Sequence, residues 1–305
     1  MLRAGCLPKI GARVLSACID IGSNTTRLLV AERNGGGRLR EVCQQRAFTR
    51  IGGAVGPDGR IHAAKIDEVA RVVATQVRLA RDLGAGDPRA VATAAIRQAP
   101  NRTELVHAVQ RTCGVRVHVL TDEDEARLAF VGATRTLTEP TTRRIAVVDV
   151  GGGSSEVAVG TLDGGMTWSA SLPIGSGVLA DGYLHSDPPG VAELEKVRTH
   201  AVGAFEGLEV PPVELGIAVG GSATSLRRLV GAELTADTLE RGLSVLASQP
   251  AAEVVRRFEI DPERVRLLPA GIAVLQAAAD RLGLSLQIAQ GGLREGVILE
   301  RTDAP

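Results

Sequence analysis

Short apolar runs, interrupted by glycine and small hydroxyl residues, dominate the beginning of the chain. Leu15 to Gly22, Thr26 to Arg33 and Leu39 to Ala47 read as three antiparallel strands, the last two joined by Asn34-Gly-Gly-Gly37, a strong hairpin signal. Arg50 to Gly59 is rich in glycine and reads as a loop, suited equally to gating a cleft or to a plain surface connection. The period then lengthens. Ile66, Val69, Val72, Val73 and Val77 recur at helical spacing between Ala63 and Leu83, and Gly84 stops the run. Arg89 to Ala94 is a short buried strand. Asn101 is placed to cap a helix with Glu104 returning to it, and the helix runs to about Thr112. Val115 to Leu120 is the next strand, and Thr121 opens a helix with Asp122, Glu123, Asp124 and Glu125 in its first turn.

The second half repeats the opening. Ile145 to Val150 leads into Gly151-Gly152-Gly153-Ser154-Ser155-Glu156, and an alternating run to Gly160 completes a hairpin. Met166 to Leu172 is a third strand, followed by Pro173-Ile-Gly175-Ser176-Gly177. A helix covers Val191 to Phe205 and a buried strand Leu215 to Val219, after which Gly220-Gly221-Ser222-Ala-Thr224 opens another helix. Residues 238 to 282 read as several helices, among them Leu268 to Leu282, an insertion beyond the simple repeat. Ser285 to Ile288 and Leu293 to Arg301 are the last strand and helix. Asp149 and Asp20 each end an apolar run before a glycine turn, 129 residues apart, so the chain reads as two copies of one unit, split at a linker around Pro140 into residues 1–138 and 139–305.

These turns carry the candidate chemistry. Backbone N–H groups of a glycine loop between two strands suit a phosphate, and a helix start such as Gly221 and Ser222 suits one too. Asp149 and Glu156, at the two ends of their loop, have the oxygen chemistry that magnesium shares with phosphate. Thr93 and Arg97 follow the carboxyl end of a strand, where open α/β sheets place ligand groups, and a guanidinium forks onto phosphate. Four adjacent acids repel one another and raise the proton affinity of the least solvated, as a general base near neutral pH requires.

Composition narrows the picture. Lys and Arg number 35 and so do Asp and Glu, so no whole-protein field draws in a polyanion and any basic surface is local. Aromatics make up 2%, leaving few rings for base stacking, and no nucleic-acid partner is expected. Cys6, Cys18, Cys43 and Cys113 show no CxxC pairing and read as reduced cytosolic thiols. Residues 1–14 read as a loose leader interrupted by Lys9 and Arg13. No run reaches the length of a membrane span, which points to a cytoplasmic protein without a membrane partner.

A duplicated strand-Asp-Gly-turn-strand resembles the superfamily of sugar kinases, actin and heat-shock chaperones. Asp20-Ile-Gly22-Ser23-Asn24, Ala92-Thr93-Ala-Ala-Ile-Arg97-Gln-Ala-Pro-Asn101, Asp124-Glu125-Ala-Arg127-Leu, Asp149-Val-Gly-Gly-Gly-Ser-Ser-Glu156 and Gly292-Leu-Arg-Glu-Gly296 together are similar to the exopolyphosphatase and guanosine pentaphosphate phosphatase family. The resemblance implies an α/β fold of two ribonuclease H-like, actin-like ATPase domains around a cleft, with the last helix packing back on the first domain. It implies Glu125 as the catalytic base, with Asp20, Asp149 and Glu156 beside it. It further implies phosphate held by Gly22, Ser23, Asn24, Thr93, Arg97, Gly151 to Ser154, Gly175, Ser176, Gly221 and Ser222, and a divalent cation, magnesium, on Asp149 and Glu156. Asp122 stands where this family usually has glycine. The expected activity is release of terminal phosphate from inorganic polyphosphate, preferably short chains, by a homodimer. The alternatives are 5′-dephosphorylation of guanosine pentaphosphate in a stringent response, or an ATP-binding kinase or phosphate sensor of the same superfamily. No His-Asp dipeptide occurs, so the extra domain of the family's longer members is expected to be missing.

Overall fold

The computed structural model describes residues 14–33, 38–137 and 141–300. The leader at residues 1–13 with Cys6, the Asn34–Gly37 turn, the Pro140 portion of the linker and Arg301 lie outside the described residues.

The first repeat contains β1 (Leu15–Ile21), β2 (Thr26–Arg33), β3 (Leu39–Ala47), α1 (Ala63–Asp82), β4 (Arg89–Ala92), α2 (Ala94–Gln98), α3 (Arg102–Cys113), β5 (Val117–Val119) and α4 (Asp122–Arg135). The second contains β6 (Ile145–Val150), β7 (Ser155–Thr161), β8 (Gly165–Leu172), α5 (Ser176–Tyr183), α6 (Val191–Phe205), β9 (Leu215–Val219), α7 (Gly220–Val230), β10 (Glu233–Leu234), α8 (Ala236–Ser248), α9 (Ala251–Phe258), α10 (Pro262–Val265), α11 (Leu268–Leu282), β11 (Leu286–Ile288) and α12 (Leu293–Glu300). The sheets have the orders β3-β2-β1-β4-β5 and β10-β11-β9-β6-β7-β8. In each, three antiparallel strands are extended by parallel ones: β4 and β5 beside β1, β9 and β11 beside β6. The duplicated ribonuclease H-like architecture is therefore present, with β10 as an addition at one edge. Among the described residues no helix is long and apolar enough to cross a membrane.

Each sheet has one face covered by its own repeat. The apolar stripe of α1, Ile66, Val69, Val73 and Val77, packs with Leu105 and Val109 of α3 onto Ile19, Ile21 and Leu28. Helices α5 to α11 cover the second sheet with a core drawn from Leu179, Val197, Leu226, Leu239 and Leu275.

The other two faces are covered crosswise. Ala126, Phe130 and Ala133 of α4 lie on Ile145, Val147, Ala158 and Ile217 of the second sheet, although α4 precedes residue 138. Leu293, Val297 and Ile298 of α12 lie on Cys18, Leu29 and Val91 of the first. The two helices meet through glycines: a methyl group at Gly132 would overlap the carbonyl oxygen of Gly292, and one at Gly296 that of Leu128. Backbone on backbone leaves no flexible side chain to give way, so Gly132→Ala is expected to cost about 1–3 kcal/mol, as overpacking does. An unchanged urea midpoint would show that the helices separate freely.

Asn101 departs from its expected part. Its side chain does not cap α3. It is buried and brackets Ile61, just past the glycine-rich loop, accepting from Ile61 N and donating to Ile61 O, both at 2.9 Å. Ile61 and Val55 form a bridge, so this loop is pinned at its far end. A buried backbone residue outside helix and sheet must find partners somewhere, and a side-chain amide supplies both at once.

Candidate active site

Two identical turns face each other across the join of the repeats. Gly22 N donates to Thr25 O and Gly151 N to Ser154 O, both at 3.0 Å. A Cβ on either glycine would press on that same carbonyl, at 3.2 and 3.0 Å. The first glycine of each motif thus closes its own turn, and the N–H groups left over are those that follow it. Gly152, Gly153 and Ser154 have no backbone acceptor among the described residues. The turns nearly touch: Gly153 lies against Ser23 and Gly152 against Asn24, with no room for a side chain.

Around them lies a cleft of about 950 Å³. Asp20, Gly22, Ser23, Asn24, Thr93, Glu125, Asp149, Gly151, Gly152, Gly153, Ser154, Glu156 and Gly221 all line it, so most of the expected residues converge. Four do not reach it. The N–H of Ser176 and its hydroxyl are both committed to Gly151 O, at 2.9 and 3.2 Å, and Gly177 N donates to Gly152 O at 3.0 Å. Gly175 is pressed on Gly152 too closely for a Cβ. Gly175 and Ser176 therefore brace the glycine loop from behind, their donors facing protein. Ser222 is buried against Gly271 of α11, leaving Gly221 as the exposed start of α7.

Arg97 is the fourth. It does not line the cleft; its Nη1 donates to Leu120 O at 3.0 Å and to Glu125 Oε2 at 2.8 Å, and its Nη2 pairs with Asp122. The expected phosphate clamp is here a clamp on Glu125. With three protein acceptors on its two terminal nitrogens, the guanidinium fork is occupied by protein.

Four carboxylates converge. Asp149 and Glu156 are direct cross-strand partners in the β6–β7 ladder, so both project from one face, an arrangement that like charges disfavour. Burial pushes Asp149 up to about 6, with the charges of Asp20 and Glu295 adding to it while Arg27 opposes. Burial raises Glu156 well above the ordinary carboxylate range, and Glu125 and Asp149 push the same way. Glu125, 8% exposed, is pushed up to about 7 by burial, with Arg97 pulling down. Asp20 is also raised by burial; its Oδ1 has no hydrogen-bond partner, and Arg27 stands 3.6 Å from its Oδ2. Gly220, at φ +86°, sits where any side chain would strike the Asp149 carboxylate. Among the described residues no three His, Cys, Asp or Glu side chains form a protein-only metal cage. Two carboxylates with a neighbouring phosphate are nonetheless what magnesium takes, the rest of its shell being water.

On the cationic side, Arg46 and Arg264 are residues that no motif marked, whereas Arg294 belongs to the Gly292–Gly296 motif. Arg27, Arg46, Arg264 and Arg294 line the cleft. Arg264 is 7% exposed, its Nε lacks a hydrogen-bond partner, and burial together with the charges of Arg27 and Arg46 pulls it down to about 9. A buried guanidinium short of partners is costly unless an anion joins it. Arg46 pairs with Asp261 at 3.0 Å across the mouth and stacks 5.0 Å from the ring of Phe48. Arg264 arises from α10, four residues capped by Asp261, too short to show any period in sequence.

The chain matches the model of the Ppx/GppA phosphatase family over residues 29–304. It is 30% identical to exopolyphosphatase 1 of Mycobacterium tuberculosis over 94% of this chain and 88% of that protein. It is 25% identical to a guanosine-5′-triphosphate,3′-diphosphate pyrophosphatase of Aeromonas hydrophila, over 93% of this chain and 58% of the relative. The structure of the Aquifex aeolicus Ppx/GppA family member superposes with a TM-score of 0.78 at 28% identity, covering 94% of this chain and 97% of that one. With its paired glycine turns, converging carboxylates and this match along nearly the whole length, the chain belongs to the Ppx/GppA phosphatase family.

Proposed function

We propose that this hydrolase removes the terminal phosphate of inorganic polyphosphate. The observation that carries the proposal is Glu125: a buried carboxyl pushed up to about 7, lining a cleft between two glycine turns with unfilled N–H groups. Glu125 takes a proton from water as the water oxygen attacks the terminal phosphorus. The bond from phosphorus to the bridging oxygen breaks, and the chain leaves one phosphate shorter. Gly152, Gly153 and Ser154, with Ser23 and Asn24 opposite, offer N–H groups to the phosphoryl oxygens, and Arg27 and Arg264 supply charge. Asp149 and Glu156 would hold magnesium, which would neutralise charge on the transferring group. Phosphate release from short polyphosphate, long polyphosphate, guanosine pentaphosphate and ATP, with and without magnesium, tests this; release from ATP alone would overturn it.

Guanosine pentaphosphate is the second reading, and one observation favours it. Phe48, one of few rings in the chain, lines the cleft between Arg46 and Arg264, a surface suited to a purine base and its phosphates. The kinase expectation finds no support in the family match.

A preference for short chains follows from charge. The net charge is zero, and Arg27, Arg46, Arg264 and Arg294 gather at the cleft. Beyond a Debye length of about 8 Å, exposed charges elsewhere are largely screened. Long polyphosphate is therefore expected to be released after few cleavages and to run on a gel as a ladder of intermediates. Disappearance of full-length chains without intermediates would show an extended channel, such as a homodimer provides.

A further inference from the structure

We infer that Asp122 is a positioning residue for Glu125, acting through Arg97; the inference rests on the assignment of Glu125 as the base. Arg97 reaches from α2 and grips α4 and the chain entering it at three points: Leu120 O, Asp122 and Glu125. Its guanidinium is planar, so anchoring one terminal nitrogen fixes the direction of the other. Nη2 is held by Asp122, and Nη1 then aims at Glu125 Oε2 at 2.8 Å. Leu120 O shares Nη1 and cannot by itself set the rotation of the fork. Arg97 thereby orients the Glu125 carboxyl through its contact with Oε2.

Asp122 occupies the first position of α4, and its side chain is 60% exposed. It does not line the cleft. An acid at a helix start contributes on its own only a few tenths of a kcal/mol to about 1 through the dipole. That ordinary role would appear in stability and leave turnover alone.

Asp122→Asn keeps an acceptor for Arg97, while Asp122→Ala removes it. Turnover at saturating short polyphosphate is expected to fall roughly threefold in the first and roughly tenfold in the second, with KM within about twofold in both. In an Arg97→Lys background, where no fork remains to be oriented, Asp122→Ala is expected to change turnover by less than twofold. Thermal melts of every variant separate folding losses from turnover losses. Unchanged turnover in Asp122→Ala, an effect on KM instead, or an equal loss in the Arg97→Lys background would each overturn the inference. If Glu125→Gln turns over normally, it is the assignment of the base that fails, and the Asp122 series is read apart from it.

Discussion

Glu125→Gln is expected to lower kcat roughly a hundredfold or more while leaving KM within about twofold, the scale of a lost general base. The substitution keeps the shape of the side chain and one acceptor for Arg97, so the clamp and the cleft should survive. What it removes is the carboxylate that takes the proton from water. A base works when deprotonated, so the acidic limb of the wild-type kcat profile should rise through about pH 7, where burial places this group, and should be absent from the residual activity of the variant. The neighbouring acid offers no substitute. Asp124 accepts from the Thr121 hydroxyl at 2.9 Å and pairs with Arg127 at 3.1 Å, and these contacts hold it below the usual carboxylate range, where it is a poor base at neutral pH. Near-normal turnover in Glu125→Gln would nevertheless move the role to another carboxylate of the cleft, Asp20 or Asp149.

The chemistry that strands and turns set locally was legible in the chain. An aspartate ending an apolar run, then glycine and small residues, can only be a tight turn at a strand end, and two such turns implied two repeats and a cleft between them. Carboxylates on those turns followed into the cleft. What failed to show was which way a group faces once the repeats are packed. Arg97 follows a strand like a ligand residue, yet α4 and the residue Leu120 ahead of it bring three acceptors to it before any phosphate could. The Gly175–Gly177 turn has the composition of a phosphate loop, but its N–H groups lie behind another loop whose carbonyls claim them. Asn101 sits at a cap position and serves a strand-like residue 40 positions away instead. The crosswise packing of α4 and α12 depends on glycines whose partners are remote backbone atoms, and Arg264 depends on a four-residue helix. Periodicity reports the burial of a face, not the identity of what covers it.

Magnesium is expected to raise the melting temperature by several degrees at pH 7 and by much less at pH 5, and its removal by a chelator to abolish phosphate release. Asp149 and Glu156 face each other as a cross-strand pair. Both carboxyls are raised by burial and by neighbouring charge, Asp149 to about 6 and Glu156 well above its ordinary value. For an acid raised on folding, the folded chain binds more protons than the unfolded one between the two pKa values. The stability these groups contribute is therefore complete below the ordinary carboxylate range and is lost as pH rises, through about 6 for Asp149 and further up the scale for Glu156. A cation between the two carboxylates takes the place of those protons and cancels the loss, but it must displace them to bind. Its stabilising effect thus grows as pH climbs from 5 to 7. Asp149→Asn removes one charged ligand, so the magnesium concentration for half-maximal activity should increase roughly tenfold or more, and the melting increment at pH 7 should shrink. A melting increment that ignores pH, together with turnover indifferent to chelator, would mean that protons and not a cation hold this carboxylate pair together.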